Sequence, residues 1–154
     1  MIKIQIKNRW TGLILFEYEK ENNTIKKTVI NAYLRSAYLG SAYLRCANLR
    51  DAYLRSAYLG SADLRGADLR GADLGNGKVK TFAVFTGIYT YIVVPYILEN
   101  GEQRVKMGCY DRSVTEWDQD FWNNNDEFPN NNSVKTNLRL IAFETAKKWI
   151  ELNK

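Results

Sequence analysis

From Asn31 to Gly75 the chain is nine consecutive units of five residues, NAYLR SAYLG SAYLR CANLR DAYLR SAYLG SADLR GADLR GADLG. Alanine holds the second place of every unit and leucine the fourth. An α-helix cannot keep one face on a period of five, because residues five apart drift by about 140° around its axis. In an extended segment, residues two apart point the same way and the residue between them points oppositely. Each unit is therefore one short extended side with Ala and Leu turned inward, followed by a bend.

The number of sides per turn follows from comparing residues 31–50 with later stretches. An offset of five gives 13 identities in 20, ten gives 12, and twenty gives 16. Four sides then close one coil, and the coils stack about 4.8 Å apart through β-ladder hydrogen bonds. Outward positions fall into columns: Tyr33, Tyr53 and Asp73 on the first side, Tyr38 and Tyr58 on the second, Tyr43 and Asp63 on the third, and Asn48 and Asp68 on the fourth. The place after leucine gives Arg35 and Arg55, then Gly40 and Gly60, then Arg45 and Arg65, then Arg50 and Arg70.

The alternation, clearest in ADLRG at 62–66 and 67–71, resembles the pentapeptide-repeat family. The resemblance implies a right-handed quadrilateral β-helix, here of about two coils. That family includes inhibitors and protectors of DNA gyrase whose outline is similar to a DNA duplex. RWTG, LFEYE and NTIKK before the repeat, and MGCYDRSVTEW and DEFP after it, resemble small phage and prophage proteins that flank such repeats with two further segments. Family members mostly place Asp or Asn between Ala and Leu, whereas this chain places Tyr five times.

The expected fold is mainly β, with residues 1–30 capping one end, 31–75 forming the β-helix and 76–154 adding strands and helices, all packed as one compact unit. IKIQIK at 2–7 alternates as a strand, Asn8 to Gly12 make a turn, and Leu13 to Tyr18 return. Asn23 or Thr24 caps a short helix to about Ile30, and Trp10 and Phe16 join the plug over the first coil. VKTFAVFTG, IYTYIVVPYIL and QRVKMGCY read as three strands, with Gly101 in a tight turn and Pro95 at an edge or bulge. Ser113 and Glu116 form a capping box for a helix to about Trp122. NNNDEFPNNN is a surface loop, and a last helix spans about Val134 to Leu152 with an apolar stripe seeking either the sheet or the tyrosine face.

Lys plus Arg is 22 against 17 for Asp plus Glu, and residues 76–154 carry ten of each, so the excess of +5 lies wholly in the first half. With no histidine, His-centred catalysis and His-ligated zinc are excluded. Cys46 follows Arg45 at a bend as a tolerated small residue, Cys109 reads as a buried strand-end cysteine, and two cysteines are too few for a disulfide scaffold. No carboxylate pair, phosphate loop, metal set or cofactor motif stands out, so the expectation is a protein without enzymatic activity. The start is no signal peptide and no apolar run is long enough to span a membrane, which places the chain in the cytoplasm.

Function then rests on the outward faces. Tyr33, Tyr38, Tyr43, Tyr53 and Tyr58, with Arg35, Arg45, Arg55 and Arg65, are the candidate partner-binding residues. The tyrosines are either an external ladder, Tyr33 over Tyr53 and Tyr38 over Tyr58, stiffening the coils or covered by the chain's own C-terminal part, or a contact surface for a partner. Gly40 and Gly60 would leave the second side open as a docking face. The leading expectation is a protein-binding factor by which a phage or prophage modulates a host enzyme or defence component. The alternatives are a structural or assembly protein, or nucleotide or nucleic-acid binding through the Arg and Tyr faces. A net-positive repeat argues against duplex mimicry, and no nucleic-acid-binding signature accompanies the arginines. The expected state is a monomer or weak homodimer.

Overall fold

The computed structural model describes residues 1–34, 38–54, 59, 62–108, 110–120 and 131–154, the side chains of Tyr33, Leu34 and Asp120 excepted. The described chain is mainly sheet with three helices and divides into two compact units, Met1–Lys80 and Thr81–Lys154.

In the first unit, strand β1 (Ile2–Lys7) pairs antiparallel with β2 (Ile14–Lys20). The return strand begins and ends later than Leu13 to Tyr18, because the NRWTG turn closes on itself. The Asn8 carboxamide accepts from the Trp10 and Thr11 N–H groups, the Asn8 N–H reaches the Leu13 carbonyl, and Gly12 supplies a φ of 71°. Thr24 caps helix α1 (Ile25–Leu34) by accepting from the Lys27 N–H at 3.2 Å.

Helix α1 runs past Ile30 into the first five-residue unit. Ala32 satisfies two periods at once: it is second in its unit, and it continues the buried helical line of Thr28 and Val29. A first side also has no earlier coil to pair with. A helix satisfies its own backbone, so helical Asn31 to Leu34 escapes that deficit.

Beyond it the coil emerges. Parallel bridges join Tyr43 to Asp63, Asn48 to Asp68 and Tyr53 to Asp73, each spanning twenty residues. Leu44, Leu49 and Leu54 donate to the carbonyls of Asp63, Asp68 and Asp73, while those three donate to Ala42, Ala47 and Ala52. The described Ala and Leu residues from Leu39 to Ala72 are buried. Corners use left-handed backbone: Cys46 and Asp51 have φ of 57° and 56°, and Gly66 and Gly71, twenty residues on, both have 69°. Glycine suits the lower corner, since a Cβ on Gly71 would overlap the Asp51 carboxylate and force it to move.

At each end of the coil one side is paired within this unit. Asn8 bridges Ala42, the Arg9 N–H reaches the Ser41 carbonyl at 2.7 Å, and the Tyr43 N–H reaches the Lys7 carbonyl at 2.8 Å. At the other edge Lys78 bridges Asp73, and Val79 exchanges backbone bonds with Gly71 and Ala72. Val79 opens strand β3 (Val79–Phe82), within which the division between the units falls.

Carboxylates steady the coil's outer surface. The Asp63 carboxylate accepts from the Arg65 backbone N–H at 3.2 Å and from its Nε at 2.7 Å, and Asp68 repeats the pattern with Arg70 at 3.1 and 2.9 Å. The side-chain hydrogen bond from Arg65 is the main cause holding Asp63 below its usual value. The same contact from Arg70 takes Asp68 to about 2.

The second unit contains the antiparallel run β4 (Val93–Leu98), β5 (Gln103–Met107) and β6 (Tyr110–Ser113). Residues 87–91, expected as strand, form the bend between Phe85 and Val93, which bridge each other across Gly87 at φ 83°. Pro95 is neither at an edge nor in a bulge: it sits in fully buried β4 opposite Val105. A strand residue points its N and C=O to the same side, and the Pro95 carbonyl accepts from the Ala83 N–H. The missing donor therefore falls on the Ala83 side and leaves the β4–β5 ladder whole. QRVKMGCY is broken at Gly108, whose φ is 63°, and the chain returns as the unexpected strand β6.

The capping box forms: the Ser113 N–H donates to the Glu116 carboxylate at 2.6 Å, and the Glu116 N–H donates to the Ser113 hydroxyl at 3.2 Å. It opens helix α2 (Val114–Asp120), whose buried Trp117 donates its indole N–H to the Val105 carbonyl at 2.7 Å. Helix α3 (Val134–Leu152) spans the expected residues, and Ser133 is its N-cap. The sheet is the partner of its apolar stripe: Ala142, Phe143, Ala146 and Ile150 pack with Val93, Ile97, Val105, Met107 and Trp117. Tyr96 donates to Asp111, which also receives Arg104 Nε at 3.1 Å, and Glu102 takes a second Arg104 nitrogen at 2.6 Å, so this buried arginine enters the unit fully paired. Cys109 and the 121–130 part of the asparagine loop lie outside the described residues.

Two outcomes follow. Gly71→Ala should lower stability by about 1 kcal/mol or more, from its positive φ and the overlap with Asp51. In an Asp51→Gly background the overlap disappears and the cost should shrink; equal costs in both backgrounds, measured by urea unfolding, would remove that contact from the account. For pH, Asp63 and Asp68 have folded values below their unfolded value of 3.8. Their contribution is complete above that value and is lost as pH falls through the folded value, about 2 for Asp68. The melting temperature should drop across that window, and Asp68→Asn should flatten the drop.

Candidate partner-binding faces of the repeat

A side of the coil presents three outward groups in order: the residue between Ala and Leu, the residue after Leu, and the corner. Where the first of these is Asp or Asn, its side chain turns back along the chain. Asn48 and Asp73 accept from the N–H groups of Arg50 and Gly75 at 3.2 and 2.9 Å, as Asp63 and Asp68 do from Arg65 and Arg70. An Asp-Leu-Arg side is thereby self-neutralising, because the carboxylate that caps the backbone also holds the arginine.

Tyrosine cannot do this, since its hydroxyl lies beyond reach of the N–H two residues on. Tyr43 stands out at 51% exposure and Tyr53 at 47%. Arg45, two residues after Tyr43, is exposed and makes no ion pair among the described residues. Arg50 reaches Asp51 at 3.7 Å, and its charge also helps to lower Asp68. Among the described arginines of the repeat, Arg45 is the one that follows a tyrosine, and it is left without a carboxylate.

The remaining candidates divide as follows. Arg65 is half exposed but committed to Asp63, which is 1% exposed. Tyr33 lies in α1, so it offers no rung above Tyr53, and the expected ladder of those two rings is replaced by Tyr53 over Asp73. Arg35, Arg55 and Tyr58 lie outside the described residues, as does Gly60. Tyr38 is 62% exposed, yet the space left by Gly40 is not open: a Cβ there would stand 2.5–2.6 Å from the Tyr38 ring and hydroxyl. The glycine seats the tyrosine ring rather than leaving a groove.

Trp10 was expected in the plug, but it is 72% exposed. The self-contained NRWTG turn leaves it no core to enter, while Phe16, opposite Ile6, is half-buried. The Arg9 guanidinium lies 4.2 Å from the Trp10 ring centre. The backbone bonds from Arg9 to Ser41 and from Tyr43 to Lys7 bring this tip beside the third side of the coil. A tryptophan inside an Asn-x-x-Thr-Gly turn was the available signal, because a turn of that length has no inward face.

Cys46 is an exposed free thiol. Among the described residues no group of His, Cys, Asp and Glu is placed to hold a metal ion, and no helix is long and apolar enough to cross a membrane.

No curated protein and no solved structure matches the chain. Residues 32–71 match the family model for pentapeptide repeats, in eight copies. The flanking segments lie outside that match. By that match and by the pairing of residues twenty apart, residues 32–71 are a run of pentapeptide repeats.

Proposed function

We propose that the protein is a non-catalytic, protein-binding factor whose contact surface is the outward tyrosine and arginine positions of a right-handed, four-sided β-helix. Coils of twenty residues, with left-handed corners at Cys46 and Asp51 and again at Gly66 and Gly71, support the four-sided winding. The observation that carries the reading is the exposure of Tyr43, on the same side as Arg45, and of Tyr53 on another side, at positions where aspartate would be tied to the backbone. Tyr and Arg are the residues that concentrate binding energy when an interface covers them. If the flanking segments derive from a phage or prophage, the partner is a host enzyme or defence component.

The protein acts in the cytoplasm, where an exposed thiol such as Cys46 stays reduced. Use as an end-to-end building block is disfavoured, because the 41–43 and 71–73 edges already have backbone partners. A monomer or a weak homodimer fits those occupied edges.

Changing Tyr43 and Tyr53 together to Ser should leave the melting temperature within a few degrees, since both rings are about half exposed. Retention of a specific protein partner in a pull-down should fall by about tenfold or more. A large loss of stability with unchanged retention would assign the tyrosines to the fold and defeat the proposal.

A further inference from the structure

We propose that the third side of the coil and the adjoining hairpin tip, carrying Lys7, Arg9, Trp10, Tyr43, Arg45 and Arg65, receive an acidic segment of a partner protein; this deepens the protein-binding reading and rests on it. Three neighbouring strands build the face. The Tyr43 N–H bonds the Lys7 carbonyl on one side, and Tyr43 bridges Asp63 on the other. With Asn8 opposite Ala42, whose side chain is buried in the core, alternation turns Lys7 and Tyr43 outward together. Arg45 stacks above Arg65, since the Cys46 N–H reaches the Arg65 carbonyl at 2.9 Å.

Four cations thus share the face with one carboxylate, Asp63, which is buried, held by Arg65 and drawn further down by the charge of Arg9. Lys7 and Arg45 are exposed and make no ion pair among the described residues. The two aromatic surfaces are exposed as well, Trp10 backed by Arg9 and Tyr43 between Lys7 and Asp63. Complementary charge steers such a partner in, and the rings supply area that need not be specific in charge.

A protein segment fits this face better than single-stranded nucleic acid does. Stacking along a strand needs rings in a line, but Tyr43 and Tyr53 stand on different sides of the coil, ten residues apart. One face therefore offers only Tyr43 and Trp10, and the Arg9 guanidinium already lies over the Trp10 ring. Three strands span about 10 Å, which suits a short extended peptide.

The test measures binding of a fluorescent poly-glutamate peptide, and of an oligothymidylate of equal charge, by anisotropy at about 0.05 and about 0.15 M salt. The peptide should bind and weaken as salt rises. Lys7→Glu with Arg45→Glu should weaken it by at least about tenfold, with melting unchanged. Lys135→Glu, exposed on α3, should leave binding intact. If the reversed variant melts early, Lys7→Ala with Arg45→Ala replaces it, with a smaller loss in the same direction. No peptide binding, equal binding by the variants, or tighter binding of oligothymidylate through the same residues overturns the proposal. If partner retention still depends on Tyr43 and Tyr53 while poly-glutamate fails, acid preference alone falls; if retention is also indifferent to the tyrosines, the protein-binding reading falls with it.

Discussion

Everything in the first unit depends on backbone pairing between residues twenty apart. Each inward Ala-x-Leu side lends its Leu N–H and Ala C=O to the next coil, and the Asp between takes both. Such pairing requires sides of identical length, inward groups small enough to share one narrow core, and a corner at every fifth residue. Alanine and leucine meet the second requirement. Left-handed Cys46, Asp51, Gly66 and Gly71 meet the third. A short coil also ends in two unpaired edges, and leaving buried backbone groups there unbonded is costly. The hairpin strand at Lys7 to Arg9 and the chain at Lys78 to Val79 are where they are because those edges demand donors and acceptors.

The second constraint is electrostatic. Stacked arginines about 4.8 Å apart repel unless a carboxylate intervenes. Asp63 and Asp68 intervene two residues earlier in their own units, and the same oxygens cap the Arg65 and Arg70 N–H groups. Arg65 and Arg70 are neutralised locally and Arg45, above Arg65, is not, so one exchange, Asp63 to Tyr43, alters ring exposure and local field together. Helix α1 contributes at the upper coil through Lys26, which donates to the Arg50 carbonyl at 2.6 Å.

How far the fold was legible follows from which signals repeat. The coil length could be read because translation by twenty residues preserves inward and outward positions alike, and the Tyr43, Asn48 and Tyr53 bridges fall where that offset puts them. Helix α3 could be read because the asparagine run stops at Ser133 and an apolar stripe with Ala142, Phe143, Ala146 and Ile150 follows it. Ala32 fits a helix and a coil side equally, and only the absence of an upstream rung decides between them. Pro95 misled because its effect depends on which neighbour its nitrogen faces, a property of pairing rather than of sequence. The turn at Gly108 was hidden inside a run that alternates well enough to pass for one strand. At the candidate face, Tyr43 and Arg45 were visible as departures from the repeat. Lys7 and Trp10 were not, because their nearness to Tyr43 arises from an edge contact between segments more than thirty residues apart.

The inward columns carry no information about a partner, since any chain with this coil must fill them in much the same way. Information about function has to lie in outward positions that the coil leaves undetermined. Among these, aspartate is partly determined too: it gives the backbone N–H two residues on an acceptor, a bond worth on the order of 1 kcal/mol. Tyr43 and Tyr53 forgo that bond, and Tyr43 leaves an arginine without its carboxylate. Tyr38 recovers some packing by laying its ring over Gly40. A side chain that forgoes that bond keeps about half of its ring exposed, at Tyr43 and at Tyr53 alike. What can offset the loss is contact with something else, and the uncompensated charge at Arg45 and Lys7 indicates which sign that something carries.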